Sequence, residues 1–332
     1  MTIKTFINSL LILSATVFFN ALLSNTAKAD NAFYGNLHLF VGKVEGVSGI
    51  NVNSYASQIG NKGVNIFNDN WLLSHNVELE LNTFNDANKG GGTRKLPSAI
   101  ENDKNENGNI ELRQAWVGIK PADRSKKLGE FRVGRHPSLY DIVDDGQNLL
   151  SKVGQALPSS GQLTEQLLYV NKRGQMAYSI AYAPFETDAK DRVISGLLNV
   201  ASGPYYAGLA VEKGSGLSTG AKFSIGLDQD LSNRFASNYK LGLTYDKQMG
   251  SGAKSITLTG LVSVDKYYLG AEFGKVLDGD VLNLDDTTRF AEDTKNKALE
   301  LGYQLNKSTR FYLDYSNLGN RKETSLAVKY RF

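Results

Sequence analysis

Residues 239–246 read YKLGLTYD: Tyr239, Leu241, Leu243 and Tyr245 fall on one side of an extended chain, and Lys240, Thr244 and Asp246 on the other. Successive side chains of a strand point to opposite faces, so this stretch is a strand with one apolar and one polar face. The pattern recurs. In LLSHNVELELNTF (72–84), Leu73, Val77, Leu79 and Leu81 oppose Asn76, Glu78 and Glu80; in TRFYLDYS (309–316), Phe311, Leu313 and Tyr315 oppose Arg310 and Asp314. About sixteen such segments of about ten residues follow one another, from 32–43 and 53–66 to 308–316 and 323–332, with no change of composition to mark a second domain. The expected unit is therefore one β domain over 30–332.

Connections between the segments alternate in length. NKRG (171–174), ASGP (201–204), VDK (264–266) and LNKST (305–309) are tight, whereas those near 85–108, 137–163 and 276–295 are long and polar. Short turns on one rim and long loops on the other are the pattern of a transmembrane antiparallel β-barrel. A soluble β-sandwich also alternates apolar and polar residues, but so many strands would normally divide into more than one such domain. In hydrocarbon every backbone N–H and C=O needs an internal partner, which a closed barrel supplies. Side chains do not fill the interior of a barrel this wide. A wet lumen accounts for Glu78, Glu80, Lys240, Asp246, Glu272, Glu300, Arg310 and Asp314 on the inward face.

Residues 1–29 read as a signal peptide: Lys4 opens a positive region, an apolar run extends from Phe6 to Leu23, and Ala27-Lys28-Ala29 is a small-x-small cleavage site. An N-terminal anchor is the alternative, and the small-residue site argues against it. With Lys4 and Lys28 removed, the 37 basic residues become 35 against 34 acidic ones, so the remaining chain is nearly neutral and carries no nucleic-acid signature. There is no cysteine, which excludes disulfides and thiolate metal sites. The three histidines, His38, His75 and His136, lack metal-ligand spacing, so neither a metal nor a cofactor is expected. His136-Pro137-Ser138 could in principle be a nucleophilic pair, but Pro137 breaks the strand there, and no catalytic residue is assigned. GGGTRK (90–95) lacks the Lys-Ser/Thr ending of a phosphate loop.

Several stretches, in order, resemble the trimeric general porins of Gram-negative outer membranes. Tyr34-Gly35 in AFYGNLHLFVG matches the family's first strand, and ASQIGNKG (56–63) matches its second strand in part. RQAWVGIKP (113–121) and LGEFRVGRHPSLYD (128–141) look like the paired strands before the inward-folded third outer loop. The resemblance implies a water-filled channel for passive diffusion of small hydrophilic solutes and ions in the outer membrane. It implies loop acids, Asp141, Asp144 and Asp145, facing a basic wall that includes Lys62 and Arg113. Period two agrees by setting Arg113 on the face opposite Trp116. Gln58 and Asn36 stand where members of the family often carry cations, so the basic wall is thin and weak cation preference is expected.

The C-terminal SLAVKYRF (325–332) keeps the alternation to Phe332, and Tyr330 and Phe332 are similar to the signal by which barrel-assembly machinery recognises such proteins. Closure of 323–332 against 32–43 would place Phe332 in an aromatic girdle. Alternation puts Arg135 outward with Phe131 and Val133, where an arginine facing mid-membrane lipid costs about 2–4 kcal/mol. A subunit interface of a homotrimer would cover it; a bulge or a rim position would instead expose it to water. Outer-membrane lipid and lipopolysaccharide are the expected surroundings. A substrate-selective channel, or a barrel serving mainly as adhesin or structural anchor, are the competing functions.

Overall fold

In the computed structural model the described residues are 30–45, 50–54, 57–81, 110–123, 128–143, 149–150, 162–184, 192–214, 219–230, 238–249, 252–278, 295–318 and 321–332. The proposed signal peptide, the GGGTRK stretch and most of the third outer loop, Asp144 and Asp145 included, lie outside them. The strands are β1 (Asp30–Val44), β2 (Asn51–Ser54), β3 (Ser57–Asn68), β4 (Trp71–Leu81), β5 (Ile110–Pro121), β6 (Glu130–Pro137), β7 (Gln162–Arg173), β8 (Met176–Ala183) and β9 (Val193–Ser202). They continue as β10 (Tyr205–Lys213), β11 (Gly220–Asp230), β12 (Asn238–Gln248), β13 (Lys254–Val264), β14 (Tyr267–Asp278), β15 (Lys295–Gln304), β16 (Thr309–Leu318) and β17 (Arg321–Arg331). Among the described residues one short helix, α1 (Leu139–Ile142), lies between β6 and β7.

From β3 on each strand pairs antiparallel with the next, β2 and β3 both pair with β1, and β17 returns to β1, where Asn36 faces Arg331 and Val44 faces Glu323. The wall is closed, so the spanning strands have no open edge and their N–H and C=O groups need no water. The expected strand at 53–66 is two segments. β2 pairs with Leu39–Gly42 and β3 with Asp30–Asn36, so both occupy one place in a 16-stranded wall. Their registers differ by one residue, Leu39 facing Ser54 but Asn36 facing Gln58.

Alternation sorts the side chains as the sequence implies. On β12, Leu241 and Tyr245 are exposed outward while Thr244 and Asp246 are buried inside. Outward aromatics gather toward the rim of short turns: Phe131 against Tyr169 (ring centroids 4.8 Å apart), Tyr267 against Tyr303 (5.1 Å) and Tyr330 against Phe332 (5.9 Å). The Tyr169 hydroxyl accepts from the Gly129 amide at 3.2 Å and from Asn171 at 2.8 Å, the wet end of a ring whose body is apolar. Phe332 closes the girdle. Its amide and carbonyl both pair with Gly35, and its ring occupies the space a Cβ on Gly35 would need, 2.6 Å from Cζ.

Two irregularities position the third loop. Glu78 faces Gln114 but Leu79 faces Leu112, so Arg113 is an extra residue on β5. Gly134 faces Gln166 but His136 faces Leu163, and within that bulge of β7 Glu165 has φ 57°. Gly134 itself has φ +136°, and a Cβ there would lie 2.1 Å from the Ala115 carbonyl oxygen. Gly134→Ala therefore combines left-handed strain with a backbone clash. We expect it to destabilise the barrel by about 1–3 kcal/mol, read as a lower temperature for loss of the compact, heat-modifiable form; an unchanged temperature would contradict the strain.

Candidate functional site

Beyond Pro137 the chain turns into the barrel. Ser138 caps α1 by accepting from the Tyr140 amide at 3.1 Å, and its hydroxyl donates to Glu212 of β10 at 2.5 Å. Leu139, Tyr140 and Val143 are almost fully buried against Leu168, Ala181, Leu197 and Ala210, which face inward from β7 to β10. The Tyr206 hydroxyl donates to the Val143 carbonyl at 2.5 Å. Farther round, the Tyr140 hydroxyl donates to Asp246 of β12, and the Lys222 ammonium lies 4.6 Å from the Tyr140 ring and 3.9 Å from Asp246. Burial, with the Asp246 carboxylate beside it, pushes the Tyr140 phenol above its ordinary value, so it remains a donor.

Leu150 carries the loop to the next part of the wall. It packs on Ala298, and a Cβ on Gly270 would come 2.2 Å from its Cδ2. The third loop is therefore folded inward and attached to the inner wall from β7 to β15. Apolar side chains dock it, and hydrogen bonds to Glu212 and Asp246 fix its position.

The wall on the other side of the ring is basic. Arg113 donates to Gln58 and lies 3.3 Å from Glu78. Lys62 stands 4.9 Å from the Tyr34 ring, whose hydroxyl donates to Asn76 and Glu78, both at 2.8 Å. Two further cations here were not assigned to the basic wall from sequence. Arg310 of β16 and Lys329 of β17 are cross-strand partners on the inward face, and Lys329 lies within electrostatic reach of Arg113. The inward alternation that carries Ser325 and Ala327 carries Lys329 too, and could have found it. Of the loop acids, Asp141 is on α1 and half-buried; Asp144 and Asp145 lie outside the described residues.

The parity that set Arg113 opposite Trp116 fails. Trp116 also faces inward, stacked on His136 with centroids 5.2 Å apart and with the Arg132 guanidinium 4.1 Å from its ring. The extra residue at Arg113 lets Arg113 and Gln114 both turn inward; Gln114 accepts from Asn76 at 3.1 Å. Arg135 lies on the outward face, half-buried, its Nε donating to the Arg113 carbonyl at 3.3 Å.

The closed barrel thus carries the described part of its third loop on the inner wall. The sequence profile of Gram-negative porins matches residues 13–323. The chain belongs to the Gram-negative porins. It is an integral β-barrel of the outer membrane. Among solved structures, this porin is similar to OmpF of Salmonella typhi in complex with daunomycin, at 12% identity and TM-score 0.67, covering 91% of this chain and 97% of that one. It is also similar to the trimer form of OmpT of Vibrio cholerae (16%, TM-score 0.61, 92% and 99% covered) and to the anion-selective porin of Comamonas acidovorans (15%, 0.60, 92% and 100%). A search among curated proteins finds no match.

Proposed function

We propose that this porin is a homotrimeric, water-filled channel through which small hydrophilic solutes and ions diffuse passively, with a weak preference for cations. The observation that carries it is the third loop fixed to the inner wall at Leu139–Val143 and Leu150; in this reading the loop narrows the lumen opposite the basic strip of Lys62, Arg113, Arg310 and Lys329. Residues 1–29 direct export, assembly machinery reads the Tyr330 and Phe332 end, and outer-membrane lipid with lipopolysaccharide surrounds the wall. A channel fits His136 and Ser138 better than an enzyme does. His136 is stacked on Trp116, and Ser138 is held between Glu212 and the α1 amide.

The barrel fold alone does not set selectivity, since an anion-selective porin shares it. Cation preference is supported by the inward carboxylates Glu80, Glu212, Glu272, Glu300 and Asp314, joined by Asp141 on the loop. Reversal potentials across a salt gradient test it. Cations should be preferred at 0.1 M and less so at 1 M, where the screening length falls from about 10 Å to about 3 Å. Changing Asp144 and Asp145 to Asn should weaken the preference, and Lys329→Gln should strengthen it. Anion selectivity in the wild type would overturn the proposed sign.

Trimerisation is supported by polar groups on the outward face. Besides Arg135, His75 lies 3.0 Å from Asn61 there, and Gly63 leaves the room in which His75 and Asn31 meet. Arg135→Ala is expected to lower the temperature at which oligomers dissociate in detergent, because a guanidinium facing lipid would cost about 2–4 kcal/mol unless a neighbouring chain covers it. An unchanged transition would place Arg135 in water.

A further inference from the structure

Side chains from β1, β4 and β5 converge on Glu78 at the inner wall. Its carboxylate, 3% exposed, accepts from the Tyr34 hydroxyl at 2.8 Å and from the Gln114 amide at 3.4 Å, and lies 3.3 Å from the Arg113 Nε. Asn76 completes a ring, accepting from Tyr34 at 2.8 Å and donating to Gln114 at 3.1 Å. A glycine of β3 leaves room for it: a Cβ on Gly60 would lie 2.6 Å from the Tyr34 Cζ. The carboxylate that meets Arg113 is thereby held from two neighbouring strands.

This arrangement decides which nitrogens Arg113 offers to the lumen. A guanidinium grips a phosphate or carboxylate with two parallel N–H donors, either side-on through Nε and one Nη or end-on through both Nη groups. Here Nε faces Glu78 and Nη1 donates to the Gln58 side chain, so each edge of the fork has one nitrogen engaged. Gln58 can do this because its amide carries an acceptor; a lysine or arginine at that position would have none. With 31% of the Arg113 side chain exposed, its charge still acts across the lumen, since Coulomb attraction needs no open donor edge.

We propose that Glu78 and Gln58 are positioning residues that keep Arg113 from gripping oxyanions, so that phosphate- and carboxylate-bearing solutes pass the basic wall without being held. An open fork would bind such a group through a charge-assisted pair of hydrogen bonds and slow its passage. The inference rests on the open-channel reading and specifies how the wall treats one class of solute.

The test measures binding of inorganic pyrophosphate to the detergent-folded porin by calorimetry, at constant ionic strength. The double variant Gln58→Ala, Glu78→Gln should bind it about tenfold more tightly than the wild type, as expected of a freed charge-assisted pair. Adding Arg113→Gln should abolish the gain. Glu80→Gln removes the same charge from the same inward face, where Glu80 is paired across strands with Glu111, and should change binding by about twofold at most. Gln58→Ala alone leaves the ring around Glu78 intact and should show part of the gain, so the claim stays exposed if the double variant does not fold. No gain in either variant, a gain that survives Arg113→Gln, or an equal gain in Glu80→Gln would overturn it. Bilayer conductance is recorded on the same proteins; a barrel that shows these binding differences but passes no current contradicts the channel alone.

Discussion

Leu139→Asp is expected to release the third loop and widen the pore. Leu139 is 1% exposed and sits among Tyr140, Val143, Leu168, Ala181, Leu197 and Ala210. An unpaired carboxylate at that position costs several kcal/mol. The strand ladder does not pass through Leu139, so the barrel can relieve the cost by letting α1 leave the wall. Single-channel conductance should rise and its noise increase, while the barrel keeps its heat-modifiable folded form. Gly270→Leu should do the same from the other attachment, because its side chain would occupy the space of Leu150. If neither variant alters conductance, the loop does not set the narrowest part of the channel.

Phe332→Asp should cut the amount of folded protein in the outer membrane severely. The residue completes the closure of β17 on β1, with both backbone groups paired to Gly35 at 3.0–3.1 Å, and its ring stacks on Tyr330. Aspartate would put a carboxylate on the lipid-facing girdle and remove the aromatic end of the proposed assembly signal. Translocation should be less affected, so unfolded protein should accumulate before insertion. Wild-type levels of heat-modifiable barrel in the outer membrane would show that neither the ring nor the girdle position matters for assembly.

The wall was legible because one rule, period two, governs it from end to end. YKLGLTYD and TRFYLDYS read directly as β12 and β16, and the alternation through Phe332 identified the strand that closes on β1. The rule fails where one residue is inserted. At Arg113 the bulge turns two successive side chains inward, so Trp116 shares the lumen with Arg113 instead of opposing it. Between β2 and β3 the register changes by one residue, which no local composition announces. The loop attachments were hidden for a different reason. That Ser138 would meet Glu212, Tyr140 meet Asp246, and Leu150 fit Gly270 depends on contacts across the lumen between residues far apart in sequence. The basic wall was half legible: Lys62 and Arg113 through the family pattern, Lys329 and Arg310 through an alternation that was visible but had no partner until β16 and β17 were paired.

Planar-bilayer recording of the purified protein tests the central claim most directly. An open lumen bounded by a docked third loop predicts stable, ohmic conductance steps, larger in Leu139→Asp than in the wild type. A barrel that folds, resists heat and inserts yet passes no current would contradict it.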